Sequence, residues 1–294
     1  MIVNVVCRNF GDDRVIPRFA RYLRDFLGWR LTKRPVDPGQ VDAYYLSGYF
    51  EAQFMRPWPE GRPVGAYFTH REEEPPGNAK AKLYDNVAGR VDLRIATAAM
   101  YAGPLVEYGA TAQITPPVER GRFVIPKGPS TGSGRLAVGF SGYTYRNGRK
   151  GEALARALVG SDLGRRVDWR ASGRGWPVPT RKYRWEDMPG FYQSLDVLVV
   201  TSSVEGVPMP PLECLSCGVS VVIPRGVGLL DELPEEPGIY RYEKNQAKSC
   251  LSALRKALGE RRDVNREKLR ETTAPYTITA WCEQHRQAFA EVML

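Results

Sequence analysis

Short apolar runs alternate with longer amphipathic stretches along the first part of the chain. Residues 2–7 are apolar apart from Asn4 and predict a buried strand. Val15–Leu27 sets Ile16, Phe19, Ala20, Leu23 and Leu27 at helical spacing. Residues 41–46 and 64–69 predict further strands. A helix is expected over 98–108, bracketed by strands over 92–96 and 111–115. This alternation argues for a parallel sheet covered by helices.

A break follows. Pro116-Pro117 opens it, and the run from Lys127 to Gly134, rich in Gly, Ser and Pro, closes it. Such composition predicts a linker. The pattern then restarts, with strands over 136–140, 167–171, 195–200 and 219–223. Helices are expected over 151–159 and 185–194, around 212–217, and over 244–258 and 277–292. The expected fold class is therefore α/β, with two facing Rossmann-like domains and an interdomain cleft. Residues 1–117 form the first domain, 118–134 the linker and 135–275 the second domain. A helix in 276–294 is free to pack back on the first domain. In open α/β sheets ligands bind beyond the carboxyl ends of the strands, at the point where strand order reverses. The loops there are where function is expected.

Composition narrows the class only slightly. The chain has 294 residues, 43% hydrophobic and 26% charged, enough for each half to bury a core. No apolar run approaches the roughly 20 residues that span a bilayer. The first residues lack the basic region and cleavage site of a signal peptide. The expectation is a cytoplasmic protein. A net charge of +9 suits an anionic partner: a nucleotide diphosphate, a nucleic acid or an acidic membrane, where peripheral contact with the inner face becomes an option. Among five cysteines, Cys214 and Cys217 form a C-x-x-C, but no second pair completes a zinc set. They read as small apolar residues of a buried helix. Of the two histidines, His285 is expected at the surface of the last helix.

The most informative segment runs from Asp196 to Glu232. A buried strand leads into the polar, Gly/Pro-rich loop 201–211, and a helix opens near Met209. Backbone N–H groups at a helix N-terminus would suit a diphosphate. Glu205 on the loop and Glu213 in the first turn or so of the helix flank that position. Two carboxylates beside an anion site make sense if the ligand also carries vicinal hydroxyls. A nucleotide sugar has diols at both ends and a diphosphate between.

Here the chain resembles the family 4 retaining glycosyltransferases of GT-B fold, whose signature is E-x7-E. The resemblance rests on Glu205-Gly206-Val207-Pro208-Met209-Pro210-Pro211-Leu212-Glu213, on Cys214 to Val222 and Val227 to Glu232, and on Met188 to Asp196 upstream. It spans roughly residues 90–245. The implied roles place Glu213 on the donor ribose hydroxyls and Glu205 on the transferred sugar. The N–H groups of Val207, Met209 and Gly206 would meet the sugar or the diphosphate. Pro208 stands where the family usually has glycine, and it lacks one N–H.

Around the first strand of the second domain, residues 139–151 carry Lys150-Gly151, which matches the family's Lys-Gly. Ser141 takes the family's usual arginine position, so Arg146 or Arg149 is left to join Lys150 in neutralising the leaving diphosphate. In the first domain, His70 ends its strand, where family members often carry a histidine that contacts donor sugar or acceptor. The loop after strand one holds Gly11, Asp12 and Asp13, acceptor-side candidates by the resemblance and equally helix-capping residues by their chemistry.

The resemblance implies transfer to an acceptor hydroxyl with retention, through an oxocarbenium-like transition state. It implies no cofactor and no metal, the positive charge coming from Lys150 and an arginine. A cell-envelope glycan or lipid is the first acceptor expected. Two alternatives stand beside it. One is a hydroxymethylated DNA base, suggested by the aromatic-basic stretches 169–176 and 181–185. The other is a non-catalytic nucleotide-sugar or nucleic-acid binding protein.

Overall fold

The computed structural model describes residues 1–11, 14–72, 77–126, 135–145 and 147–294. The chain divides into two compact units, Met1–Pro117 with Ile278–Leu294, and Val118–Thr277.

The first unit is built on β1 (Val3–Val6), α1 (Val15–Leu27), β2 (Arg30–Thr32), β3 (Ala43–Leu46), β4 (Val64–Phe68), α2 (Ala79–Ala88), β5 (Leu93–Ala96), α3 (Ala99–Val106) and β6 (Thr111–Gln113). Its six strands are all parallel, in the order β2-β1-β3-β4-β5-β6. β1, β3, β4 and β5 are buried along their whole length, which is why they read as apolar runs rather than alternating ones. One face carries Tyr44, Leu46, Ala66 and Phe68 against Tyr84, Val87 and Leu105. The other meets α1 and the closing helix Ile278–Val292 through the rings of Phe19, Tyr45, Tyr67, Trp281 and Phe289. Gly65 has no room for a side chain, because a Cβ there would stand 2.5 Å from the Phe289 ring.

His285 corrects the expectation of a surface residue. It is fully buried on the closing helix, with Nε2 3.0 Å from the Tyr45 hydroxyl and Nδ1 2.9 Å from the Trp281 carbonyl. Burial drives its pKa down to about 3, so the ring is neutral at pH 7. Helical periodicity had put charged neighbours beside it, but its own position falls on the sheet-facing side with Trp281, Ala288 and Phe289.

The second unit comprises β7 (Ala137–Tyr143), α4 (Glu152–Gly160), β8 (Asp168–Arg174), β9 (Thr180–Arg181), α5 (Met188–Gln193), β10 (Val197–Val199), α6 (Met209–Ser216), β11 (Ser220–Pro224), β12 (Ile239–Tyr242), α7 (Ala247–Glu260) and α8 (Arg266–Glu271). With the closing helix as α9, this completes the chain. All pairings are parallel, in the order β12-β11-β10-β7-β8-β9. Read from its other edge, this is the dinucleotide-fold order, and strand order reverses between β7 and β10.

Several boundaries differ from expectation. β7 and β8 run on to Tyr143 and Arg174 and stay paired throughout, so residues 139–143 are strand and not loop. Gly173 makes this close pairing feasible, since a Cβ there would stand 2.1 Å from the Gly142 carbonyl oxygen. The helix expected over 185–194 is a 3-10 turn, Trp185–Asp187, followed by α5, because Pro189 favours a fresh start at a first helical turn. α7 begins at Ala247, and β12 before it was not foreseen. Part of the stretch read as a linker is packed: Phe123 is fully buried against Trp185 and Tyr192, and Val118 N–H donates to the Tyr276 carbonyl. Residues 127–134 lie outside the described residues. Cys214 and Cys217 are buried free thiols in α6 and at its carboxyl cap, and burial pushes Cys217 up to about 12.

Candidate functional site

The reversal between β7 and β10 brings two loops together. The loop after β7 ends in Lys150-Gly151 at the start of α4, and the loop after β10 carries residues 200–208. Lys150 Nζ forms an ion pair with Glu205 Oε1, each side chain only 13% exposed. Ser202 Oγ donates to the same carboxylate oxygen at 2.6 Å. Thr201 Oγ1 donates to the Lys150 carbonyl at 2.6 Å, and Ser203 N–H donates to the Arg149 carbonyl at 2.9 Å. The loops are thus stitched through backbone and side chain alike. Gly151 is indispensable to this contact: its φ is +72°, and a Cβ would stand 2.0 Å from the Thr201 carbonyl oxygen.

Arg149 lays its guanidinium over the Tyr145 ring, 4.0 Å from the centroid. Arg146, the other arginine candidate, lies outside the described residues.

Glu213 lies close to the position expected. It is the fifth residue of α6, hence in the second turn, and is 2% exposed. Tyr192 Oη donates to Glu213 Oε2 at 2.8 Å. Ser141 Oγ lies 3.2 Å from Tyr192 Oη. Because the phenol proton is committed to the carboxylate, Ser141 is the donor in the second bond. Tyr192 is fully buried, and burial beside the Glu213 charge raises its pKa well above the ordinary tyrosine value. Sequence reasoning missed Tyr192, because its ring reads as one more apolar position of α5.

The helix N-terminus imagined as a diphosphate cradle is largely stripped of donors. Pro208, Pro210 and Pro211 have no N–H. The Met209 N–H donates instead to the Val207 carbonyl at 2.9 Å, closing a tight turn in which Pro208 has φ −79° and ψ 70°. Of the backbone groups singled out in the sequence, Met209 N–H is therefore already engaged, leaving those of Gly206, which is buried, and Val207, which is half-buried. Lys150, paired with Glu205, and Arg149, laid over Tyr145, bring cationic side chains to this edge.

In the first unit, His70 lies two residues past β4 and is half-buried. Gly11 is exposed, and Asp12 and Asp13 lie outside the described residues. The loop after β1 has an unforeseen anchor. Glu51, 4% exposed in the 3-10 turn Tyr49–Phe54 after β3, accepts the Arg8 N–H at 3.2 Å. Burial raises its pKa. An acidic residue inside the aromatic run Tyr49-Phe50-Glu51-Ala52 was the available signal.

The aromatic-basic stretches are accounted for by packing. Phe140 stacks on both Trp169 and Trp176 at 4.9 Å, Trp176 Nε1 donates to the Gly142 carbonyl, and Tyr183 lies on Phe191. Among the described residues, no three His, Cys, Asp or Glu side chains cluster as a metal site, and no helix is long and apolar enough to cross a membrane.

Comparison with known proteins agrees with this fold. Residues 179–274 match the family described as Glycosyl transferases group 1. No curated protein sequence matches the chain. Among solved structures, sucrose-phosphate synthase from Thermosynechococcus elongatus is similar at a TM-score of 0.78 and 14% identity, over 99% of this chain and 98% of that one. HepE from Anabaena, in complex with UDP and glucose, is similar at 0.77 and 13% identity, over 99% of both chains. The lipopolysaccharide outer core galactosyltransferase WaaB is similar at 0.70 and 10% identity, over 99% of both chains. Two parallel-sheet Rossmann-like units of this kind define the GT-B fold of glycosyltransferases.

Proposed function

We propose that the protein is a retaining glycosyltransferase that moves a sugar from a nucleotide-sugar donor to an acceptor hydroxyl, with no metal requirement. The observation that carries this reading is the Lys150–Glu205 pair at the strand-order reversal of the second unit, inside a chain whose 179–274 segment matches a glycosyltransferase family. Glu213 takes the ribose hydroxyls. Glu205 takes hydroxyls of the transferred sugar, with Lys150 beside it. Lys150 and Arg149 stabilise the negative charge that grows on the diphosphate as the glycosidic bond breaks. The leaving diphosphate then helps to remove the acceptor proton on the same face. His70 serves the reacting sugar, and the loop with Gly11, Asp12 and Asp13 serves the acceptor.

UDP-sugars are the first donors to try, given HepE's complex with UDP and glucose. A cell-envelope glycan or lipid is the acceptor class, the chemistry named for WaaB. The +9 charge would favour such an acceptor at an anionic inner membrane face. The DNA-base reading has lost its main support, because the aromatic residues of both basic stretches are used in the unit's own packing.

The test incubates the protein with UDP-, GDP-, ADP- and CDP-sugars and measures released nucleotide and bound donor, with Glu213→Ala as control. Glu213-dependent binding and release with one donor supports the assignment. Absence of binding by every donor overturns it.

A further inference from the structure

Ser141, Tyr192 and Glu213 form a chain of hydrogen bonds in which Tyr192 and Glu213 are buried and Ser141 is half-buried. Ser141 ends its bond 3.2 Å from Tyr192 Oη, which donates at 2.8 Å to Glu213 Oε2. The three residues come from β7, α5 and α6, so the chain crosses elements far apart in sequence. Tyr192 cannot swing away: Phe123 and Phe191 pack on its ring at 5.9 and 5.3 Å. A phenol buried this deeply would ordinarily be replaceable by Phe at no loss of packing. Its hydroxyl is instead spent on one oxygen of a carboxylate that is itself 2% exposed.

The consequence for Glu213 is geometric. An ionised carboxylate has about four acceptor positions. Tyr192 donates to Oε2 at 2.8 Å and thereby restrains the plane of the group. A carboxylate fixed in this way reads hydroxyls by position, and a ligand lacking one leaves a buried acceptor unmatched. We infer that Tyr192 is a positioning residue that aims Glu213 at the donor ribose and so makes the site select ribonucleotide over 2′-deoxyribonucleotide donors. Ser141 completes the alignment from the far side of the phenol. The inference rests on the donor role of Glu213 given above.

The experiment measures dissociation constants for UDP, GDP, ADP and CDP and for the 2′-deoxy form of each, by calorimetry, for the wild type, Tyr192→Phe and Ser141→Ala. The wild type should prefer the ribonucleotide of its best pair by about tenfold or more. Tyr192→Phe should reduce that preference to about twofold by weakening ribonucleotide binding alone, with 2′-deoxy binding unchanged. Ser141→Ala should reduce it part of the way, which keeps the test decisive if Tyr192→Phe does not fold. Equal weakening of both nucleotide forms would show a merely structural phenol and overturn the inference. So would a preference that neither variant alters. If the wild type binds ribo and deoxy forms equally, Glu213 does not read the ribose, and the inference falls while the donor site survives. If the wild type binds no nucleoside diphosphate, the functional reading itself falls and takes the inference with it.

Discussion

The Lys150 ammonium is paired with the Glu205 carboxylate across two loops that are 55 residues apart in sequence and adjacent at the strand-order reversal. Both groups are largely withdrawn from water, so each depends on the other. Removing one member of such a pair strands the other charge. Lys150→Met should cost about 3 kcal/mol of stability, and adding Glu205→Gln should recover most of it. Both variants should lose nucleotide release from the donor. Urea denaturation followed beside the release assay separates the two effects.

Gly151 tests the same junction through the backbone. Gly151→Ala forces a Cβ against the Thr201 carbonyl in a left-handed conformation and should destabilise by about 3 kcal/mol. Gly259→Ala, inside α7 with open space around it, should instead stabilise by about 0.5–1 kcal/mol. Melting curves of the two variants moving in the same direction would contradict this account.

His285 predicts a pH dependence. Its folded pKa of about 3 lies below the ordinary unfolded value of about 6.5. Between these values the unfolded chain binds the extra proton, so stability rises with pH there. This contribution is complete above about pH 6.5 and is lost progressively as pH falls toward 3. His285→Gln removes the titrating group and should flatten the slope of urea midpoints measured at pH 7, 5 and 4.

Pro208→Gly returns an N–H to the loop where the helix start has few. It should raise affinity for the preferred nucleoside diphosphate by about tenfold. Stability should fall by about 0.5–1 kcal/mol, because the unfolded chain gains freedom. Calorimetric titration checks the first expectation and denaturation the second.

The central strands of both sheets were legible because parallel strands covered on both faces are largely apolar, as in Val197–Val199 and Ser220–Pro224, whereas β2, β9 and β12, at the sheet edges, were not foreseen. Glu205 and Lys150 could be found because their neighbours form a long ordered motif, and the fold brings the two together. Other site features have no linear signature. Tyr192 and His285 look, in sequence, like ordinary members of amphipathic helices, and only the packed partners reveal a phenol aimed at a carboxylate or an imidazole against Tyr45. α2 escaped notice because its apolar stripe is weak, with Ala81, Tyr84, Val87 and Ala88 as its buried residues. The proline-rich start of α6 is legible in the sequence as three positions without an N–H, and the engagement of the Met209 N–H by the Val207 carbonyl is not.

The closing helix gives the first unit an unusual dependence on synthesis order. Trp281, His285 and Phe289 complete a core whose strands are made early, yet all of Val118–Thr277 must be translated before they exist. A nascent chain on the ribosome therefore holds Phe19, Tyr45 and Tyr67 without their lid, while the second unit has every one of its strands at hand. Substitutions that weaken the packing of Trp281, His285 or Phe289 should thus surface as misassembly of strands that precede them by a whole unit of chain.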